Sequence, residues 1–197
     1  MDPFILLLPL LTAILVIIFD RNLRRAKYVA IAGSVASLAL LPFIDAGTSS
    51  FAWFTAGGLQ MSIVVSVAPL NYMLLLVVAL IGVLVFLYSF EFMSLPTEWK
   101  RYYIEMLAFE ASMLAFAMAG NFILFFIAWE FLSLTSYLLI GFWHSRDRAI
   151  AAARKTVTII LIGDVCLLAS MVIANLPCAL TSHSAVSAGL TQNPMFV

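Results

Sequence analysis

The chain has 197 residues; 64% are hydrophobic and only 10% charged, and ten basic residues balance ten acidic ones. Soluble domains carry about 25% charged residues, and the mean hydropathy here is +1.12. The composition therefore excludes an ordinary soluble domain, and the apolar runs are too long for buried strands. An all-α integral membrane protein is expected. No phosphate loop, CxxC pair or nucleophile with a histidine and an acid at useful spacing is present, so soluble-enzyme chemistry is not expected. Nucleic acid is not expected as a partner; the bilayer is.

Six spans follow in chain order from length and hydropathy. The first covers residues 4–19. MDPFILLLPLLTAILVIIFD lacks a basic lead and a small-residue cleavage site and runs into Asp20-Arg21, so it reads as a span, not a signal peptide. The second covers 28–44. A loop from 45 to 66 contains QMSIVVSVAP, whose weak alternation suggests a short strand or hairpin. The third span covers 69–90 and the fourth 104–119. Gly120-Asn121 marks a tight turn, and the fifth span runs from Asn121 to Trp143. The sixth covers 149–175. Residues 176–197 form an extracytoplasmic tail without a long apolar run. Cys166 and Cys178 form neither a disulfide framework nor a metal-ligand spacing.

All basic residues sort to one side. Arg21, Arg24, Arg25 and Lys27 follow the first span, Lys100 and Arg101 precede the fourth, and Arg146, Arg148, Arg154 and Lys155 follow the fifth. The positive-inside rule makes these connections cytoplasmic and places both termini outside.

Glu130 lies in the middle of NFILFFIAWEFLSLTSYLLIGFW. A charged side chain at the centre of a span costs at least about 2.5–3.5 kcal/mol on insertion scales. Such an acid faces protein or water, either as an ion or proton site or as a buried structural group. At 1.5 Å per residue Glu130 is about 20 Å from the cytoplasmic end of its helix, and Asp164 is about 21–22 Å from that end of the next. The two acids thus share a depth. Glu110 and Lys155 share a shallower level, about 9 Å in; either they pair across helices four and six, or Lys155 reaches back to the surface. Glu105 and Glu91 fall near the interface, where they are expected to be solvated.

Glu130, Ser133, Tyr137, Gly141 and His144 fall on one helical face. Hydroxyls and an imidazole beside a carboxylate can hold water or relay protons, so the stripe reads as a half-channel. Ser133 and Gly141 taken alone read as close-packing residues. On the sixth helix Asp164 and Lys155 lie about 180° apart and cannot pair. Gly163, beside Asp164, permits a close backbone approach. Asp164 is either a second proton or cation group or an anchor to a neighbouring helix.

AGNFILFFIAWEFLSLTSYLLIGFWHSR, followed by AAARKTVTIILIGDV, resembles the antiporter-like subunits of respiratory complex I, most of all the largest. Similar stretches occur in Mrp-type cation/proton antiporters and membrane-bound hydrogenases, and YSFEFM at residues 88–93 resembles a further family motif. The resemblance covers most of residues 65–175. It implies that Glu130 is the mid-membrane acid of proton translocation, that Trp129 flanks it, and that Lys155 and Asp164 match the family's K…GD positions. Leu161 departs from an arginine common in the most similar branch, and Glu110 sits where many relatives are apolar. Family members carry about fourteen helices in two inverted repeats. The expectation is therefore an incomplete antiporter-like repeat, a fragment or split part, with helices three to six in residues 67–175 and a two-helix region with its extracytoplasmic loop in residues 1–66.

The resemblance implies a proton-translocating subunit of a redox-driven pump, an NADH:quinone oxidoreductase-like translocase with no redox chemistry of its own. Its place is the plasma membrane or an energy-coupling inner membrane. Partners are other membrane subunits, including a polypeptide carrying the remaining helices. Cofactors are none in this chain, with redox groups on partner subunits. A Mrp-type Na+/H+ antiporter subunit and a non-transporting scaffold are the alternatives.

Overall fold

A computed structural model describes residues 3–18, 23–56, 59–92 and 99–173. Six helices follow one another: α1 (Pro3–Ile18), α2 (Leu23–Leu40), α3 (Pro69–Phe92), α4 (Trp99–Ala117), α5 (Phe122–Ile140) and α6 (Asp147–Ile173). Their positions agree with the spans expected from hydropathy to within a few residues. Two of them, over Pro69–Glu91 and Phe122–Ile140, are long and apolar enough to cross a membrane. The expected tail and Cys178 lie outside the described residues.

The all-α expectation needs one correction. Between α2 and α3, β1 (Gly47–Ala56) and β2 (Leu59–Val67) pair antiparallel from Gly47↔Val67 to Ala56↔Leu59, with a register shift between Ala52 and Phe54. The β-branched run Ile63, Val64, Val65 and Val67 favours the extended backbone. The α4–α5 turn then occupies the free edge of β2. Ser66 donates its N–H to the Met118 carbonyl (2.9 Å), Gly120 donates to the Val64 carbonyl (2.8 Å), and Val65 bridges Ala119. A Cβ on Gly120 would sit 2.8 Å from the Val64 side chain, so this approach needs glycine. Asn121 caps α5 by accepting from the Leu124 N–H at 3.1 Å, and its amide donates to the Ser62 carbonyl. The edge is thereby closed against further pairing.

Two buried clusters divide the bundle. One joins the hairpin to the helix ends through Leu41, Val65, Leu75, Leu114, Met118 and Leu124. The other packs Val16, Ala30, Phe86, Trp99, Tyr103 and Leu107 near the basic connections. At this second end Lys27 donates to the Phe90 carbonyl at the C-terminus of α3 (3.2 Å), and Arg146 lies 5.3 Å from the Trp143 ring centre. Helix α4 is central, packed against α1, α3 and α5, whereas α6 packs chiefly on α5. Outside these contacts α3 and α6 expose Leu70, Met73, Leu74, Ile159, Ile162 and Val165. Continuous apolar faces of this kind suit hydrocarbon as the solvent.

Candidate functional site on helices five and six

Helix α5 carries Trp129 and Glu130, and α6 carries Asp164. The Trp129 indole Nε1–H donates to Asp164 Oδ1 at 2.7 Å. Asp164 is buried, so this bond satisfies a carboxylate oxygen that would be costly to leave bare. Glu130, next to Trp129 on α5, is partly exposed. Among the described residues nothing hydrogen-bonds the Glu130 carboxylate. One acid is thus clamped and the other is open. Trp129 is held in turn by rings: Phe125 stacks on it at 6.5 Å, and Phe116 of α4 lies 5.8 Å away. The lone N–H of an indole can only donate, which makes tryptophan a suitable anchor for an acid in an apolar layer.

Towards the basic end, Tyr137, Gly141 and His144 line one cavity of about 170 Å³ together with Arg101 of α4 and Ile150 and Ala153 of α6. Arg101 donates from Nε to Glu105 Oε1 at 2.5 Å and lies 3.5 Å from His144 Nδ1. The single helical stripe needs revision here. Helix α5 ends at Ile140 with Gly141 as its C-cap, so His144 lies beyond the helix. The chain still turns it back to the same cavity. Ser133 is half-buried between Glu130 and Tyr137, whereas the hydroxyls of Thr135 and Ser136 donate to carbonyls of their own helix. Gly141 does permit close packing: a Cβ there would meet that of Ala153 at 3.3 Å.

Other expected arrangements are not formed. Glu110 does not pair with Lys155; Ser34 of α2 donates to Glu110 Oε1 at 2.8 Å, and Lys155 is exposed. Their equal depth did not determine which way each side chain turns. Glu105 is buried rather than solvated, because the central helix α4 is covered on more than one side: Glu105 shares a face with buried Ser112, opposite Tyr103 and Leu107, and Arg101 one turn away pairs with it. Glu91 is exposed as expected. Gly163 is not a point of close approach: a Cβ there would meet nothing within 4 Å. Sequence reasoning missed Ser34. The available signal was the run Gly33-Ser34 with Ser37, small and polar residues inside an apolar helix.

The comparisons bear on this same region. Residues 119–178 match the family described as "NADH:quinone oxidoreductase/Mrp antiporter, TM", and residues 53–103 match "NADH-Ubiquinone oxidoreductase (complex I), chain 5 N-terminus". The chain belongs to the antiporter-like membrane subunits shared by complex I and the Mrp antiporters. NADH-quinone oxidoreductase subunit L of Mycobacterium tuberculosis is 33% identical over 140 residues, covering 71% of this chain and 22% of that protein. F420H2 dehydrogenase subunit L of Methanosarcina mazei is 33% identical over 126 residues, covering 64% of this chain and 18% of that protein. The chain therefore spans about a fifth of the length of these curated relatives. In structure it is similar to a chain of the Mrp complex from Dietzia sp. DQ12-45-1b, with a TM-score of 0.83 and 23% identity, covering 98% of this chain and 22% of that one. It is also similar to a chain of the membrane-bound sulfane sulfur reductase, an archaeal respiratory membrane complex, with a TM-score of 0.76 and 20% identity, covering 96% of this chain and 30% of that one. These structural likenesses show the fold of the antiporter-like subunits, and the family is one of integral membrane subunits.

Proposed function

We propose that this chain is part of a proton-translocating membrane subunit of a redox-driven ion pump, with Glu130 as its mid-membrane acid. The observation that carries the reading is the contrast between Asp164, clamped by Trp129, and Glu130, for which no hydrogen-bond partner is found among the described residues. A carboxyl without a fixed partner can take up and release a proton as a base approaches. Ser133 and Tyr137 continue from Glu130 to the cavity lined by Arg101 and His144. In this reading protons pass along that line, and Asp164 holds the field at Glu130. Lys155, exposed on α6, faces away from the pair and serves a partner helix.

All six helices cross the membrane in this reading, with the basic connections cytoplasmic and the hairpin on the opposite side. Residues 67–175 form the translocating part, and residues 1–66 brace it. The neighbours are other membrane subunits, and electron transfer takes place on partners, in keeping with relatives that are named as quinone oxidoreductase and dehydrogenase subunits.

The test is Glu130→Gln in the assembled complex, assayed in membrane vesicles. Proton translocation is expected to be lost while electron transfer is partly retained. Undiminished pumping overturns the proposal, and undiminished pumping with a lower yield of complex would make Glu130 a packing residue. The likeness to the Mrp complex supports a second reading, cation/proton exchange without a redox partner. Sodium-dependent transport in the absence of any electron donor selects it.

A further inference from the structure

We propose that Glu110 is a second proton-binding carboxyl, assembled by α2, α3 and α4 and opening on the apolar groove between α3 and α4 rather than on the α5–α6 acids. Three helices shape the site. Glu110 of α4 is 3% exposed; its Oε1 accepts the Ser34 hydroxyl of α2, and its Oε2 is buried without a partner. On α3 the facing residue is Gly82, where a Cβ would lie 2.7 Å from Oε1 and 3.0 Å from the carboxyl carbon. Any larger residue there would expel the carboxyl, so the glycine is the clearance that lets it point between the helices.

The groove beside it has a volume of about 260 Å³ and is lined by apolar side chains such as Leu74, Ile81, Phe86, Met106 and Met113. Glu110 is the only ionisable residue among those described as lining it. The charged groups of the surrounding helices are engaged elsewhere or lie at the ends. Lys27 of α2 donates to the Phe90 carbonyl, Arg101 and Glu105 of α4 pair with each other, and Glu91 of α3 is exposed at its end. Helix α1 contains no charged residue.

The chemistry then selects the ligand. A buried carboxylate with a bare oxygen and no counter-ion is strongly disfavoured. Hard divalent cations demand about six oxygen ligands, whereas this site offers the two carboxyl oxygens and one hydroxyl. A proton on Oε2 removes the charge and leaves Oε1 to accept from Ser34 unchanged. Glu110 therefore holds a proton in the bundle's interior, next to the lipid-facing groove.

A lipid-soluble carbodiimide tests this, because it reacts with a protonated carboxyl in an apolar site. The carboxyl proton moves to one carbodiimide nitrogen while the carboxyl oxygen bonds to the central carbon. Acyl migration to nitrogen then gives a stable N-acylurea that contains both molecules, with no leaving group. Native membranes treated with dicyclohexylcarbodiimide and analysed by peptide mass spectrometry are expected to carry the adduct on Glu110. The adduct should be lost in Glu110→Gln and retained in Glu130→Gln. Absence of a Glu110 adduct from the wild-type chain overturns the proposal. Infrared spectroscopy supplies a measurement that does not depend on reagent access: a protonated-carboxyl C=O band, lost in Glu110→Gln and shifted to higher frequency in Ser34→Ala. A chain whose spectrum lacks any band removed by Glu110→Gln likewise overturns it. Neither result depends on whether Glu130 pumps, so the two proposals fail separately.

Discussion

Glu110 and Glu130 are the same residue type on adjacent helices, yet the fold treats them in opposite ways. Glu110 is enclosed by the chain's own helices, with Ser34 as donor and Gly82 cleared to make room. Glu130 stands partly exposed on α5, and the hydrogen bond beside it, from Trp129, goes to Asp164 of α6. The difference teaches that an acid among apolar residues can be completed inside a subunit or left to be completed from outside it. The first kind is read from packing. The second is recognised by the missing partner.

The largest expected effect lies on the open side, where Glu130→Gln should abolish pumping while Glu110→Gln keeps the chain folded and changes its carbodiimide labelling. Equal loss of pumping in both variants would erase the distinction between them. Next comes the clamp. Trp129→Phe removes the only described donor to Asp164 and leaves a buried carboxylate oxygen bare, at a cost of about 1–3 kcal/mol. Asp164→Asn keeps an acceptor for the indole and should cost less. Thermal inactivation of the complex measures both, and a larger loss in Asp164→Asn would mean that the charge, not the hydrogen bond, secures α6.

Gly82→Ala sharpens the enclosed side. It forces a methyl group against the Glu110 carboxyl and should destabilise by about 1–3 kcal/mol. The penalty should shrink when Glu110→Ala is added, because the two sites are in contact and their effects do not sum. Full additivity in that double-mutant cycle would break the assignment of Gly82 as clearance. The smallest effect belongs to the cavity at the basic end. His144 is exposed and touches Arg101 only at 3.5 Å, so His144→Ala should change stability by under about 0.5 kcal/mol. A larger loss of thermal stability would make that cavity a packing element rather than an open mouth.

The sequence by itself determined roughly where the described helices fall, because a length of apolar residues is a local property. It also located Glu130 and the turn at Gly120-Asn121, and it sorted the basic residues onto alternate connections. Constant rise per residue gave Glu130 and Asp164 an expected common level, and the Trp129–Asp164 hydrogen bond joins the two helices next to Glu130. Only the tertiary structure decided which side chains meet. Helix rotation and crossing put Ser34 rather than Lys155 against Glu110, tied Trp129 to Asp164, and buried Glu105 under Arg101. The chain reversal after Ile140 brought His144 back towards Tyr137 although helical periodicity no longer applied to it. The hairpin, too, depended on a distant partner: β2 alternates only weakly, and its free edge is held by the α4–α5 turn through Met118 and Gly120. Depth is a coordinate of one helix, whereas partnership requires the relative rotation of two, and no local pattern encodes that.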